Sequence, residues 1–131
     1  MLTIHLNTDW TCEYFEIEPD LYEFQEYGER IARLADWQFA PRYPEGWAAW
    51  LEKRFNLTPL DECVHYELRI EAVPTGAQLS VNGRQFGAVA APATYDITDY
   101  VTLDDNRLAF RVESGADGAF GAVRLAAIPC E

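Results

Sequence analysis

An antiparallel β-sandwich or barrel is the fold class this sequence predicts, and three observations carry it. Apolar and polar residues alternate with period two over several short runs in the second half of the chain, which turns one face of a strand inward and the other outward. Turn residues punctuate those runs at Pro74-Thr75-Gly76, Asn82-Gly83 and Asp104-Asp105-Asn106. The length of 131 residues fits one domain, 1–131, able to bury about two thirds of its unfolded surface without disulfide or metal staples.

Taken in order, Cys12 to Ile17 is rich in aromatic and β-forming residues and reads as a strand. Leu21, Phe24, Ile31, Leu34 and Ala35 recur at near-helical spacing across Gly28, so one or two short helical turns are expected in the N-terminal third. From Trp50 to Leu57 the chain alternates Leu51, Lys53, Phe55 and Leu57 against Trp50, Glu52, Arg54 and Asn56, a strand with a mixed inner face. Val64, Tyr66, Leu68, Ile70 and Ala72 then oppose His65, Glu67, Arg69 and Glu71. Gln78 to Val81 and Arg84 to Val89 flank Asn82-Gly83, whose two positive-φ positions suit a type I′ hairpin. Tyr95 to Ile97 extends, with Ile97 inward and a local turn beginning at Thr98 or Asp99. In Arg107 to Glu113, Leu108, Phe110 and Val112 face one way, and a last strand runs from about Phe120 to Ile128.

Composition excludes several functions. Ten Lys and Arg against 22 Asp and Glu give a net charge of −12, which repels nucleic acid and anionic membrane, so neither is an expected partner. No run approaches the ~18 apolar residues of a membrane span, and the start MLTIHLNTDW lacks a basic n-region and a long apolar h-region. Cys12, Cys63 and Cys130 are widely spaced without a CxxC pair, which predicts reduced thiols and a cytoplasmic location rather than a disulfide framework or zinc knuckle. Asn56-Leu57-Thr58 matches the glycosylation sequon, but without an export signal it has no route to use.

Sites for chemistry are sparse. Seven acids and no base lie between Glu13 and Glu29, a run that reads as a solvated face rather than a glycosidase carboxylate pair. No GxSxG, HExxH or Cys-His signature is present. His5 and His65 could be ligands or bases only if the fold brought other polar groups to them; His65 sits on the polar face of its strand beside Glu67, where a cross-strand partner accounts for it without a metal.

The runs AWLEKRFNLTP, YELRIEAVPTGAQLSVNGRQFG, YDITDYV, NRLAFRVES and GAVRLAAIP, with DWQFAPRYPEGW upstream, together resemble the N-terminal sugar-binding domain of glycoside hydrolase family 2, the β-galactosidase and β-glucuronidase group. The resemblance covers about Asp36 to Pro129 and implies a jelly-roll sandwich of the galactose-binding-domain-like kind. In that family an immunoglobulin-like domain and a TIM barrel with two catalytic glutamates follow. This sequence stops at Glu131, before either, so no catalysis of its own is expected. Where many members carry a His- and Gly-containing loop after the VNG hairpin, this chain has Val89-Ala90-Ala91-Pro92-Ala93-Thr94, which offers a sugar only Thr94 and backbone.

The expected function is therefore that of a non-catalytic carbohydrate-binding-like module. Its alternative is a scaffold: a homodimer through the aromatic front face, or an accessory subunit of a separately encoded glycosidase. Sugar sites need aromatic faces with carboxylates or amides beside them, and the loop from Trp37 supplies Trp37, Phe39, Tyr43, Trp47 and Trp50 with Arg42 and Glu45. The competing reading is that these rings close one end of the sandwich. No cofactor is expected. A structural calcium ion of the kind such jelly rolls often carry would draw on Asp96, Asp99, Asp104 and Asp105, whose spacing is not that of an EF-hand loop.

Overall fold

The computed structural model describes residues 2–17 and 29–131. Among them ten strands form: β1 (Leu2–His5), β2 (Thr8–Glu16), β3 (Glu29–Arg33), β4 (Trp47–Phe55), β5 (Val64–Ile70), β6 (Gln78–Val81), β7 (Arg84–Ala88), β8 (Ala93–Asp96), β9 (Asn106–Glu113) and β10 (Val123–Pro129). Single 3-10 turns occupy Leu34–Asp36 and Thr98–Tyr100. A four-stranded sheet, β1-β10-β5-β8, packs on a six-stranded one, β3-β2-β4-β9-β6-β7, with antiparallel pairing throughout. The predicted sandwich is what the chain adopts.

The period-two pattern explains the core directly. Leu68 and Ile70 from β5, Val123 and Leu125 from β10, Leu51 from β4 and Leu108, Phe110 and Val112 from β9 are all buried between the sheets. Trp10, Cys12 and Tyr14 from β2 join them, and Trp10 Nε1 donates to the Leu6 carbonyl at 2.9 Å, satisfying the one polar atom of a fully buried ring. Asn7 turns the chain from one sheet to the other: its side-chain oxygen accepts from Val123 N at 2.8 Å and its carbonyl accepts from Leu34 N at 2.8 Å.

The structure adds to or departs from the sequence reading at three points. Glu29–Arg33 is a strand, because the edge of β2 has open backbone groups and the chain pairs with them from Cys12↔Glu29 to Thr8↔Arg33. The short helical turn expected in this third is present among the described residues as the 3-10 turn Leu34–Asp36, while Leu21 and Phe24 lie outside the described residues. Second, β1 is an element that the sequence pattern did not announce; its four residues are mostly exposed along the edge of β10. Third, Cys63 and Cys130 are joined in a disulfide. The β5–β10 ladder ends at Val64↔Pro129, so the next residue on each side is a cysteine. Cys130 N donates to the Cys63 carbonyl at 2.9 Å and the Cα atoms are 5.4 Å apart, inside the range of about 4.4–6.8 Å that a disulfide requires. Cys12 is the free thiol, and it is buried.

Candidate functional site

Two loops at one end of the sandwich frame a concavity. The first runs from the turn after Leu34 to the start of β4, and the second is the β9–β10 connection around Ser114 to Ala119. Each is tied to the sheets by its backbone. Tyr14 Oη accepts from Ala40 N at 3.0 Å, Ile17 N donates to the Gly46 carbonyl at 2.8 Å, and Ser114 N donates to the Trp47 carbonyl at 2.9 Å. The Asp117 carbonyl accepts from Thr75 N at 2.8 Å and from Thr75 Oγ1 at 3.1 Å, which anchors the second loop to the turn after β5. Gly118, at φ 94°, lets the chain leave that anchor in a conformation a Cβ would oppose.

Aromatic rings fill the space beneath the first loop. From the core outward, Trp10 stacks on Phe110 at 5.6 Å, Phe110 meets Phe120 at 4.9 Å, and Phe120 meets Trp37 at 5.9 Å. Trp37 then meets Phe39 at 6.1 Å, Phe39 meets Tyr14 at 5.1 Å, Tyr14 stacks on Tyr43 at 4.1 Å, and Tyr43 meets Trp47 at 4.8 Å. Such ring pairs add about 0.5–1.5 kcal/mol each beyond the area they bury. Trp37 is 7% exposed, and its Nε1 finds no oxygen acceptor and faces the Cys12 sulfur. Burial pushes the Cys12 thiol up to about 12 and the Tyr14 phenol up to about 12, so both stay protonated and Cys12 is chemically inert.

A groove of about 730 Å³ lies between the loops, walled on one side by Trp37, Gln38, Phe39 and Tyr43 and on the other by Ser114 and Asp117. Two smaller hollows adjoin it through Ser114: one of about 230 Å³ holds Glu113, Asp117 and Thr75, the other of about 380 Å³ holds Glu45, Trp47 and Glu113.

The candidate residues thus separate. Trp37 and Tyr43 line the groove, and Glu45 and Trp47 line the adjoining hollow. Arg42 is exposed; its guanidinium donates to Glu29 at 2.6 Å and lies over the Tyr43 ring at 4.9 Å, and the Glu29 bond holds it still more firmly charged. Trp50 is elsewhere: it pairs with Glu13 and Arg111 across the ladders, and the alternation that turns Ala49 and Leu51 inward turns Trp50 to the outer face of the sheet. Ser114 and Asp117, which complete the groove, sit in a Ser-Gly-Ala-Asp-Gly stretch that reads only as a turn until the fold brings it opposite Trp37.

Away from the groove, two of the acidic residues considered for calcium, Asp96 and Asp105, have other partners. Asp96 Oδ1 accepts from Thr98 N at 3.0 Å and from Thr98 Oγ1 at 2.5 Å, bonds that hold its carboxyl below the usual range. Asp105 approaches Arg54 at 3.9 Å and Arg107 at 3.7 Å. Among the described residues no three His, Cys, Asp or Glu converge on a common point. Asn56 is exposed and its side-chain oxygen accepts from Asp105 N at 2.7 Å. No helix of the described residues is long and apolar enough to cross a membrane.

The fold is similar to a part of several solved glycoside hydrolases, family 2 members among them. A family 2 glycosyl hydrolase from Bacteroides cellulosilyticus matches with a TM-score of 0.69 at 16% identity, over 97% of this chain and 20% of its own. The β-glucuronidase of Faecalibacterium prausnitzii matches at 0.71 and 15% identity, over 98% of this chain and 31% of its own. The β-D-mannosidase of Dictyoglomus thermophilum matches at 0.66 and 12% identity, over 97% and 23%. The chain therefore spans less than a third of the length of these enzymes while nearly all of it is matched, and at such identities the likeness is one of fold. No family model matches the sequence, and no curated protein does.

Proposed function

We propose that this chain is a non-catalytic carbohydrate-binding module whose site is the groove between the Trp37 loop and the Ser114–Ala119 loop. One observation carries the reading: a concavity of about 730 Å³ lined by Trp37, Phe39 and Tyr43 from one loop and by Ser114 and Asp117 from the other. That volume suits one or two sugar rings, and aromatic walls with a few polar groups are how such ligands are held. Trp37, Tyr43, Glu45 and Trp47 belong to this reading, with Arg42 bracing Tyr43; Trp50 does not.

The test uses Asp117→Ala and Gln38→Ala, side chains that reach the groove from exposed positions and leave the ring stack intact. Glycan-array and calorimetric titration of the full chain should show sugar binding that weakens at least tenfold in both variants at unchanged melting temperature. A folded chain that binds no glycan refutes the reading.

A second reading is a scaffold, a homodimer or a domain that docks on a glycosidase barrel, since the solved enzymes that share this fold carry it as one part of a longer chain. Sedimentation with such a barrel, and of the chain alone for a homodimer, distinguishes the two partnerships. For the compartment, the Cys63–Cys130 disulfide argues for an oxidising location over the cytoplasmic one the cysteine spacing implied. Alkylating the protein at the moment of isolation decides it.

A further inference from the structure

We infer that the groove takes neutral and amino-bearing saccharides and excludes uronic acid and sulfated ones, a ligand class that rests on the carbohydrate reading above. Among the described residues the three contiguous hollows are lined by three charged side chains, Glu45, Glu113 and Asp117, all of them acids, and by no Lys, Arg or His. The two arginines closest to them in the chain and the ladders are already paired, Arg42 with Glu29 at 2.6 Å and Arg111 with Glu113 at 3.1 Å.

Proteins hold carboxylate and sulfate groups with arginine forks, lysines or clustered backbone amides. The groove brings none of those side chains. An acidic sugar entering it would set its charge against Asp117, while Arg111 and Arg42 are already engaged by Glu113 and Glu29, and the net charge of −12 adds to that field. Sugar hydroxyls suffer no such penalty, since a carboxylate accepts their protons in short, charge-assisted hydrogen bonds. An ammonium group gains further. Selectivity of this kind comes from repulsion of the wrong ligand as much as attraction of the right one. A fold shared with a β-glucuronidase at 15% identity gives no ground for a glucuronate preference here.

The full chain should be run at pH 6 over an array carrying neutral, amino, uronic and sulfated glycans, in 20 and 200 mM NaCl, followed by titration of the best neutral ligand and its uronic analogue. Neutral or amino glycans should bind, the uronic analogue at least tenfold more weakly, with the gap narrowing at the higher salt. Asp117→Lys should narrow it further by admitting the uronate. Equal or tighter binding of uronic or sulfated glycans overturns this inference and leaves the carbohydrate reading standing. Silence in all four classes from a folded chain removes both.

Discussion

Asn82, at the tip of the β6–β7 hairpin, has a φ of 49°, which its neighbour in the pair, Gly83 at 83°, matches as a type I′ turn demands. Its side chain does more than tolerate that backbone. Asn82 Nδ2 donates to the Tyr100 carbonyl at 2.7 Å and to Asn106 Oδ1 at 3.0 Å, while Asn82 Oδ1 accepts from Arg107 N at 2.7 Å. Asn106 is wholly buried and also accepts from Thr102 N at 2.8 Å and donates to the Thr102 carbonyl at 2.7 Å. The turn was legible from Asn-Gly; this network was not, because its partners are 18 to 25 residues away in sequence. Glycine at position 82 keeps the φ and loses the bonds, so Asn82→Gly should destabilise by about 1–3 kcal/mol. Asn82→Ala, which adds backbone strain, should cost more. Urea unfolding measures both, and an Asn82→Gly variant as stable as the parent would show that only the turn conformation matters. A second residue-scale prediction concerns Cys12 and Tyr14, whose pKa values rise from 9.0 and 10.0 to about 12 each on burial. Acids with raised folded values keep their protons while the unfolded chain loses them. Their stabilisation is therefore complete below pH 9 and drains away as pH climbs toward 12, by up to about 1.4 kcal/mol per pH unit for each group. Urea midpoints at pH 7.5, 9 and 10.5 should fall in sequence, and Cys12→Ala should delay the fall to about pH 10.

At the scale of elements, strand alternation was readable wherever one face of a strand is wet, as in β5 and β9. It failed where a neighbour decides the outcome. Ile31 and Leu34 are three apart and look helical, yet the ladder with β2 claims Glu29–Arg33 and leaves a 3-10 turn to bury Leu34. The groove was half legible for the same reason: its ring wall is dense in sequence, but its polar wall comes from a loop some 70 residues later that only the β4–β9 pairing brings opposite, with Ala48↔Glu113 as the last rung. The cysteine pair shows the rule most plainly, since 67 residues separate two thiols that become neighbours once β5 and β10 align. Closing a loop of that length stabilises by about 4 kcal/mol on the chain-entropy account. Strand β10 is also held by β1 and β5 on its two sides, so Cys63→Ser with Cys130→Ser should keep the native circular dichroism and melt on the order of 10 °C lower. Loss of the sheet signal in that variant at room temperature would mean that the disulfide, and not the ladder, holds the C-terminal strand.

For the whole molecule the dominant fact is charge, and it sets how stability responds to salt. Screening acts on two opposed terms. It weakens the ion pairs, which favours unfolding, and it weakens the mutual repulsion of a chain with net charge −12, which favours the compact state. Seven ion pairs are found among the described residues, with side chains 22% to 72% exposed, and exposed pairs contribute about 0–1 kcal/mol each. Five of them join residues two or three apart: Arg33–Asp36, Arg54–Glu52, Arg69–Glu67, Arg107–Asp105 and Arg111–Glu113. An unfolded chain keeps such neighbours close as well, so screening them costs the folded state little. Only Arg42–Glu29 and Arg54–Asp105 bring together distant parts of the chain. Repulsion among the excess carboxylates is, by contrast, felt most when the chain is compact. The second term wins, and the melting temperature should rise by a few degrees between 10 and 200 mM NaCl at pH 7. Repeating the scan near pH 4.4, where the sequence is neutral, should flatten the dependence, because the repulsion being screened is gone. A melting temperature that falls with salt at pH 7 would mean the two long-range pairs outweigh the excess charge, and Arg42→Gln and Arg54→Gln would then identify which of them does.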